Sequence, residues 1–276
     1  MLNGFSVDVE DWFHICGGPP ALAPHLWEHL PSRVEETTTR VLALLDRRGV
    51  RATFFVLGWV AERHPRLVRT IAAAGHVIGS HGQRHDRVYT LDVHRFTADL
   101  RASIAALTGA GSGPVTCYRA PEWSINEGSP WALGVLAREG ITLDSSRAPM
   151  RVVGHPAYPQ RPHPIRTDHG VLIEAPPFVA RRFGQQIPYG GGWGLRLARS
   201  AAVLREVERR NREGTPVTFW IHPWELDPEP PRVRLPWSRH VAHYLGLPGF
   251  ERRLDVLLRN VLVGPLQEMV AGCSGL

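Results

Sequence analysis

The chain has 276 residues, 43% of them hydrophobic and 21% charged, which is enough for one large domain with a sizeable core and short for two. Its 27 Gly and 24 Pro exceed the ordinary share without any repetitive tract, so ample loops are expected rather than disorder. All 32 basic residues are Arg, giving a net charge of +6; the absence of Lys excludes a lysine Schiff base, a pyridoxal anchor and a Walker A loop, and the interleaving of Arg with Asp and Glu argues against nucleic acid.

Short β-branched or aromatic runs alternate with helical patterns, the signature of βα units around a parallel sheet or barrel. A first strand is predicted at 4–8. A capping-box pattern, Ser32-Arg33-Val34-Glu35, opens a helix whose Val34, Val41, Leu44 and Leu45 share one face, and Gly49 closes it. Residues 52–57 read as the next strand. Pro65 and Gly75 bracket a helix carrying Leu67, Val68 and Ile71, and a strand follows at 76–80. Phe96, Leu100, Ile104 and Leu107 stand at helical spacing over 91–107, ahead of a strand at 115–118. A further unit repeats this, with a helix over 130–139 and a strand at 141–144. From 145 to 187 periodicity fails apart from a strand at 171–173, and so long a connection is more often a functional excursion than filler. After Gly190-Gly191-Gly192, a helix over 195–211 leads into the last strong strand at 217–221, with a helical extension after about 228. No linker or internal repeat divides residues 1–276, so one domain is expected.

Cys16, Cys117 and Cys273 are odd in number and widely separated, against a disulfide framework. The N-terminus lacks a basic stretch followed by an apolar region, and no run of about 18 apolar residues occurs, so a cytoplasmic protein without a membrane span is expected.

Strong polar residues fall where the predicted strands end: Asp8, Glu10 and Asp11, then His81 and His85, Arg119, Asp144 and His222. In parallel βα architectures these ends share one rim, so the groups are expected to converge there. In His81-Gly82-Gln83-Arg84-His85, two imidazoles four apart can ligate one metal, and Gly82 stands where a zincin needs its catalytic Glu. A carboxylate from another strand end would complete two His plus one acid with positions left open for water, as hydrolytic zinc sites require. Alternation along the first strand puts Asp8 and Glu10 on one side and Asp11 on the other. Glu10 is therefore the preferred ligand and Asp8 a base, with Asp11 the alternative ligand if the strand ends early.

Five ordered motifs carry a resemblance: Asp8-Val9-Glu10-Asp11, His81-Gly82-Gln83-Arg84-His85, Arg119-Ala120-Pro121-Glu122-Trp123, Leu143-Asp144-Ser145-Ser146 and Ile221-His222-Pro223-Trp224-Glu225. Through them the chain resembles the NodB-homology polysaccharide deacetylases, the family-four carbohydrate esterases, and in particular the branch associated with exopolysaccharide and protein-sorting clusters. The resemblance implies an α/β fold, a distorted (β/α) barrel with about seven parallel strands, and hydrolysis of an N-acetyl group from a sugar. It implies Asp8 as general base, His81 and His85 as metal histidines, Arg119 as the arginine holding the base, Asp144 as the acid tuning the catalytic histidine, and His222 as general acid. Many members carry two adjacent Asp in the first motif and a hydroxyl residue after the first metal histidine, where this chain has Asp8-Val9-Glu10 and Gly82.

The expected cofactor is a divalent metal, zinc first, with cobalt or nickel accepting the same donors. The expected partner is an N-acetylated sugar or polysaccharide. Trp12, Trp123, Trp193 and Trp224 suit stacking of sugar rings, Gly191 lets backbone approach the substrate, and the backbone near Tyr118 is the candidate oxyanion donor. Two other readings stand beside this one: a metal-independent amidohydrolase of a small cyclic amide or ureide, and a non-catalytic glycan-binding relative.

Overall fold

The computed structural model describes residues 1–182 and 184–273. Strand β1 (Asn3–Val9) is buried along its whole length, as a parallel strand flanked on both edges and covered by helices must be. The chain continues through α1 (Val34–Arg47), β2 (Thr53–Val56), α2 (Gly58–Arg63), α3 (Pro65–Ala73), β3 (Val77–Ser80), α4 (Val93–Ala110), β4 (Cys117–Tyr118), α5 (Trp131–Arg138) and β5 (Leu143–Asp144). Two hairpins follow, β6 (His163–Thr167) with β7 (Gly170–Glu174), and β8 (Ala180–Arg182) with β9 (Gln185–Ile187). Then come α6 (Gly192–Leu197), α7 (Ser200–Arg212), β10 (Thr218–Ile221), α8 (Trp237–Tyr244), α9 (Phe250–Asn260), β11 (Val263–Gly264) and α10 (Leu266–Ala271).

The sheet order is β10-β1-β2-β3-β4-β5-β7-β6, with β11 beside the start of β1. Along that path every neighbouring pair is parallel except β6 with β7, so seven strands run in one direction, the α/β architecture expected. The sheet curls into a half-barrel rather than closing by strand pairing. Irregular backbone from the excursion occupies the β10 edge instead: Phe178 N–H donates to Thr218 O at 3.0 Å and Trp220 N–H to Gly190 O at 2.9 Å.

Side-chain alternation sorts the core into two layers. Phe5, Val7 and Val9 of β1, Phe54 and Val56 of β2 and Phe219 and Ile221 of β10 face outward against Val41, Leu44, Val68, Ile71 and Leu254 of the helices. Inside the curl, Phe55, Cys117 and Leu143 meet Leu266 and Met269 of α10. Leu266 N–H donates to Thr53 Oγ1 and a Cβ on Gly4 would lie 3.0 Å from Met269 Sδ, so α10 plugs the end where the strands begin. The opposite end is left for polar groups.

Local chemistry altered several predicted elements. The Ser32-x-x-Glu35 capping box does not form; Arg33 occupies the cap position, and the Asp11 carboxylate accepts from Ser32 Oγ at 2.6 Å, Arg33 N–H at 3.0 Å and Val34 N–H at 3.3 Å. A buried acid from a distant loop thus does the work of the local pair. The helix expected over 195–211 is two, because Ala198 and Arg199 are extended between α6 and α7. The helix α2 and the hairpins β6–β7 and β8–β9 fall where periodicity gave no helix, or no strand beyond 171–173.

Candidate functional site

Alternation along β1 turns Ser6 and Asp8 inward. Strand β4 ends at Tyr118, and Arg119, whose N–H donates to Ser80 O at 3.0 Å, sends its side chain into the same space. Its Nη1 donates to Asp8 Oδ1 at 2.7 Å and Ser6 Oγ at 2.8 Å, while Nη2 donates to Ser145 Oγ at 2.8 Å. The guanidinium lies 4.4 Å from the Phe55 ring centroid. Asp8 is 2% and Arg119 1% exposed, a charge pair removed from water and held by hydroxyls.

Beyond the strand, Glu10 N–H donates to Asp8 O at 3.0 Å, a tight turn that brings the Glu10 carboxylate over the rim. Its Oε1 lies 2.9 Å from His81 Nε2 and 2.9 Å from His85 Nε2. The three donor atoms lie within 4.8 Å of one another and all three residues are buried. His81 Nδ1 is 2.8 Å from Arg119 O, a group that only accepts, so Nδ1 carries a hydrogen and Nε2 is the atom turned to the carboxylate. Two imidazole nitrogens and one carboxylate oxygen turned on each other suit a shared divalent cation, the donor set of a hydrolytic zinc site. Burial pushes the Glu10 carboxyl up, but the charges of His85 and His222 and hydrogen bonds from His81 and His85 outweigh it and hold it well below its usual value.

The turn carrying both histidines is backed from α4. Asp99 Oδ2 accepts from Gln83 N–H at 2.9 Å. Gly82 sits at φ +79°, and a Cβ there would lie 3.0 Å from the same oxygen. The left-handed backbone thus favours glycine, and its acidic neighbour crowds any larger residue.

His222 follows β10, its Nε2 4.0 Å from Glu10 Oε1. Glu225 Oε2 accepts from His222 N–H at 2.8 Å and lies 3.2 Å from His222 Nδ1. Arg196 of α6, fully buried, places Nη1 2.9 Å from Glu225 Oε1. Burial alone would lower the His222 pKa, but Glu10 and Glu225 overcome it and raise it to about 9. Trp224 stacks on the His222 ring at 5.0 Å and on His243 at 4.1 Å; burial, with Arg196 and His222 nearby, pushes His243 down to about 3.

These groups line one cleft of about 600 Å³, which brings together Asp8, Glu10, His81, His85, Arg119, Trp123, Gly191, Trp193, His222 and Trp224. Other predicted residues lie elsewhere. Trp12 is buried among the core aromatics, with Nε1 donating to Pro31 O at 2.9 Å. Tyr118 is 1% exposed against Phe96, and the N–H that follows it is taken by Ser80. Asp144 accepts from Ser146 and faces Glu174; burial of this acid pair pushes Asp144 up to about 6 and Glu174 well above its usual value. The acid in contact with His222 is Glu225, not Asp144. Asp11 caps α1, which leaves Glu10 as the carboxylate beside the two histidines. Gly191 borders the cleft, but its size is set by packing, since a Cβ there would fall 2.3 Å from Trp220 O.

The sequence reading gave no role to Glu225, Arg196, Ser6, Ser145 or His14. His14 also borders the cleft and accepts from Asp11 N–H at 2.9 Å through Nδ1. Glu225 and Ser145 stood inside the five motifs, and for Glu225 the spacing of three from His222 was the available signal.

Residues 26–137 match the family model for polysaccharide deacetylase, and residues 145–271 match a domain of unknown function, DUF3473. The first stretch contains His81, His85 and Arg119, the second contains Arg196, His222 and Glu225, and Asp8 and Glu10 precede both. A chitooligosaccharide deacetylase from Rhizobium leguminosarum bv. trifolii is 31% identical over 101 residues, 37% of this chain and 44% of that protein. The chain spans less than half the length of the curated relatives it matches first. A solved structure from Mycobacterium smegmatis, assigned as a polysaccharide deacetylase, superposes with a TM-score of 0.67 at 20% identity, covering 98% of this chain and 88% of that one. Puue allantoinase superposes with a TM-score of 0.62 at 15% identity, covering 97% and 88%. The superpositions show the fold, and the family match and the deacetylase relatives show similarity to polysaccharide deacetylases over part of the chain.

Proposed function

We propose that the chain is a metal-dependent hydrolase that removes N-acetyl groups from an N-acetylated glycan or glycan precursor, leaving acetate and a free amino sugar, and that it serves exopolysaccharide biosynthesis. The observation that carries the reading is the convergence of Glu10 Oε1 with His81 Nε2 and His85 Nε2, each at 2.9 Å, in a cleft that also holds Asp8 and His222. Bound by those three residues, zinc, cobalt or nickel would supply Lewis-acid polarisation of the acetamide carbonyl and acidify water.

The chain's own groups supply the proton transfers. Asp8, aimed and charge-balanced by Arg119, accepts a proton from the attacking water. His222, its Nδ1 turned to Glu225, gives its Nε2 proton to the nitrogen as the carbon–nitrogen bond breaks, so the amine leaves neutral and the acetyl carbon leaves as acetate. Trp123, Trp193 and Trp224 offer aromatic faces to pyranose rings. The family match and the deacetylase names of the relatives support this chemistry.

The test measures acetate released from N-acetylglucosamine oligomers by the purified protein, before and after chelation and after zinc is returned. Release that chelation abolishes and zinc restores supports the proposal. Chelator-insensitive cleavage of a cyclic ureide without acetate release would replace it.

A further inference from the structure

A proton donor works only when its ring is aimed, and the structure fixes the His222 ring on two sides. Along one edge, the turn after β10 folds Glu225 back so that a single oxygen takes the His222 backbone N–H at 2.8 Å and lies 3.2 Å from Nδ1. A carboxylate only accepts, so the hydrogen sits on Nδ1, and Nε2 is directed into the cleft, 4.0 Å from Glu10 Oε1. Over one face, Trp224 stacks with its plane 21° from that of the imidazole.

Glu225 is itself held. Arg196 places Nη1 2.9 Å from its other oxygen, with both side chains wholly inaccessible to solvent. Arg196 in turn donates to the carbonyls of His243, at 3.1 Å, and Ala242, which ties the pair to α8. Burying such an ion pair is costly, and apolar residues of similar volume often stabilise a fold as well or better. What an apolar pair would not supply is a fixed acceptor for Nδ1. Asp144, the acid the family resemblance puts in this role, is engaged with Ser146 and Glu174.

We propose that Glu225, anchored by Arg196, is the positioning residue that aims His222 at the scissile amide. The role of His222 as proton donor rests on the deacetylase reading, whereas the way its ring is held rests on geometry alone.

The experiment compares Glu225→Gln, Glu225→Asp, Asp144→Asn and the double variant Glu225→Gln/Arg196→Met, by steady-state deacetylation and by proton–nitrogen NMR of the imidazoles. The His222 Nδ1–H signal is identified by its loss in His222→Gln. In Glu225→Gln, kcat is expected to fall at least about 10-fold with KM within about 2-fold, part of the roughly 10²–10⁴-fold a positioned acid contributes. Glu225→Asp restores part of that loss, and the Nδ1–H signal of Glu225→Gln shifts or exchanges away. The double variant removes both buried charges and is expected to fold and lose kcat likewise, so misfolding of the single variant leaves the question decidable. Unchanged kcat together with an unmoved Nδ1–H signal in the folded double variant overturns the proposal, as does a larger kcat loss in Asp144→Asn than in Glu225→Gln. The resonance needs no turnover, so a wild-type protein that releases no acetate would sink the deacetylase reading while the signal still decides how His222 is held.

Discussion

Arg119 reaches across the interior of the half-barrel to place Nη1 2.7 Å from Asp8 Oδ1, joining the end of β4 to the end of β1. Removing one member of a buried pair leaves the other charge unpaired, at about 3–5 kcal/mol. Arg119→Met is expected to lose stability on that order in urea unfolding. Asp8→Asn should lose less, because Ser6 and Ser145 still accept from the guanidinium, yet acetate release should drop by about 10²–10⁴-fold, the contribution of a general base. Wild-type stability in Arg119→Met would refute the first expectation, and wild-type turnover in Asp8→Asn the second.

Elemental analysis of protein purified without chelator should find one divalent ion per chain, and His85→Ala should lose it. Saturating zinc should raise the melting temperature of the apo protein, since a ligand at 100 times its Kd stabilises by about 2.7 kcal/mol. No bound ion, and no thermal response to zinc, cobalt or nickel, would show that the Glu10, His81 and His85 cluster is not a metal site.

His76 gives a pH dependence remote from the cleft. Its Nδ1 accepts from Ala52 N–H at 3.1 Å, and burial, then the Arg51 charge, lowers it to about 4. The folded state therefore binds this proton less readily than the unfolded chain, whose imidazole titrates at about 6.5. The stability it contributes is complete above pH of about 6.5 and is lost as pH falls through about 4, at most about 3 kcal/mol. Unfolding free energies of wild type and His76→Gln between those pH values check it: the acid-side slope should be shallower in the variant.

Two tryptophans near the motifs should separate by phenotype. Trp193 is 39% exposed on the cleft rim, so Trp193→Ala is expected to keep the fold and raise KM about 2- to 12-fold, the worth of roughly 0.5–1.5 kcal/mol of ring stacking. Trp12 is 6% exposed inside the aromatic core, so Trp12→Ala should cost about 3–5 kcal/mol of stability. Kinetics and denaturant melts on both variants decide the matter, and a reversed pattern would place the sugar elsewhere.

Placing a hydroxyl residue after His81 should fail in this chain. At φ +79°, Gly82→Ser carries a left-handed backbone cost of about 1–2 kcal/mol and forces its Cβ against Asp99 Oδ2 at 3.0 Å. Reduced stability and weaker zinc retention are expected, with Gly82→Ser/Asp99→Ala recovering only the steric part; a stabilised single variant would contradict this.

The parallel strands were legible because buried strands are short, continuous apolar runs closed by Gly or Pro, as at Thr53-Phe54-Phe55-Val56. Alternation accounts for Asp8 alone: β1 ends at Val9, and Glu10 joins the histidines through the turn in which its N–H meets Asp8 O, while Asp11 caps α1 instead of taking the place expected for it after an early strand end. The hairpins β6–β7 and β8–β9 were mostly illegible, since Arg, Gln, His and Pro share their half-exposed strands and blur the period. Glu225 could not be told from an ordinary helix-capping acid, because three-residue spacing fits both, and Arg196 lies in a helix whose inward face depends on the break at Ala198. Tyr118 and Trp12 stand next to motif residues but point the other way, which adjacency in sequence does not reveal.

Strand β1 lies between β2 and β10, and more than two hundred residues separate Gly4 from its partner Thr218. At about 5–20 residues per second of synthesis, roughly 10–40 s pass between the two. Glu10, His81 and His85 all leave the ribosome in the first third of the chain, long before His222 exists. On the proposed reading, a nascent polypeptide would own all three cation donors while it still lacked its acid, so ion capture would be open to it before the cleft is complete.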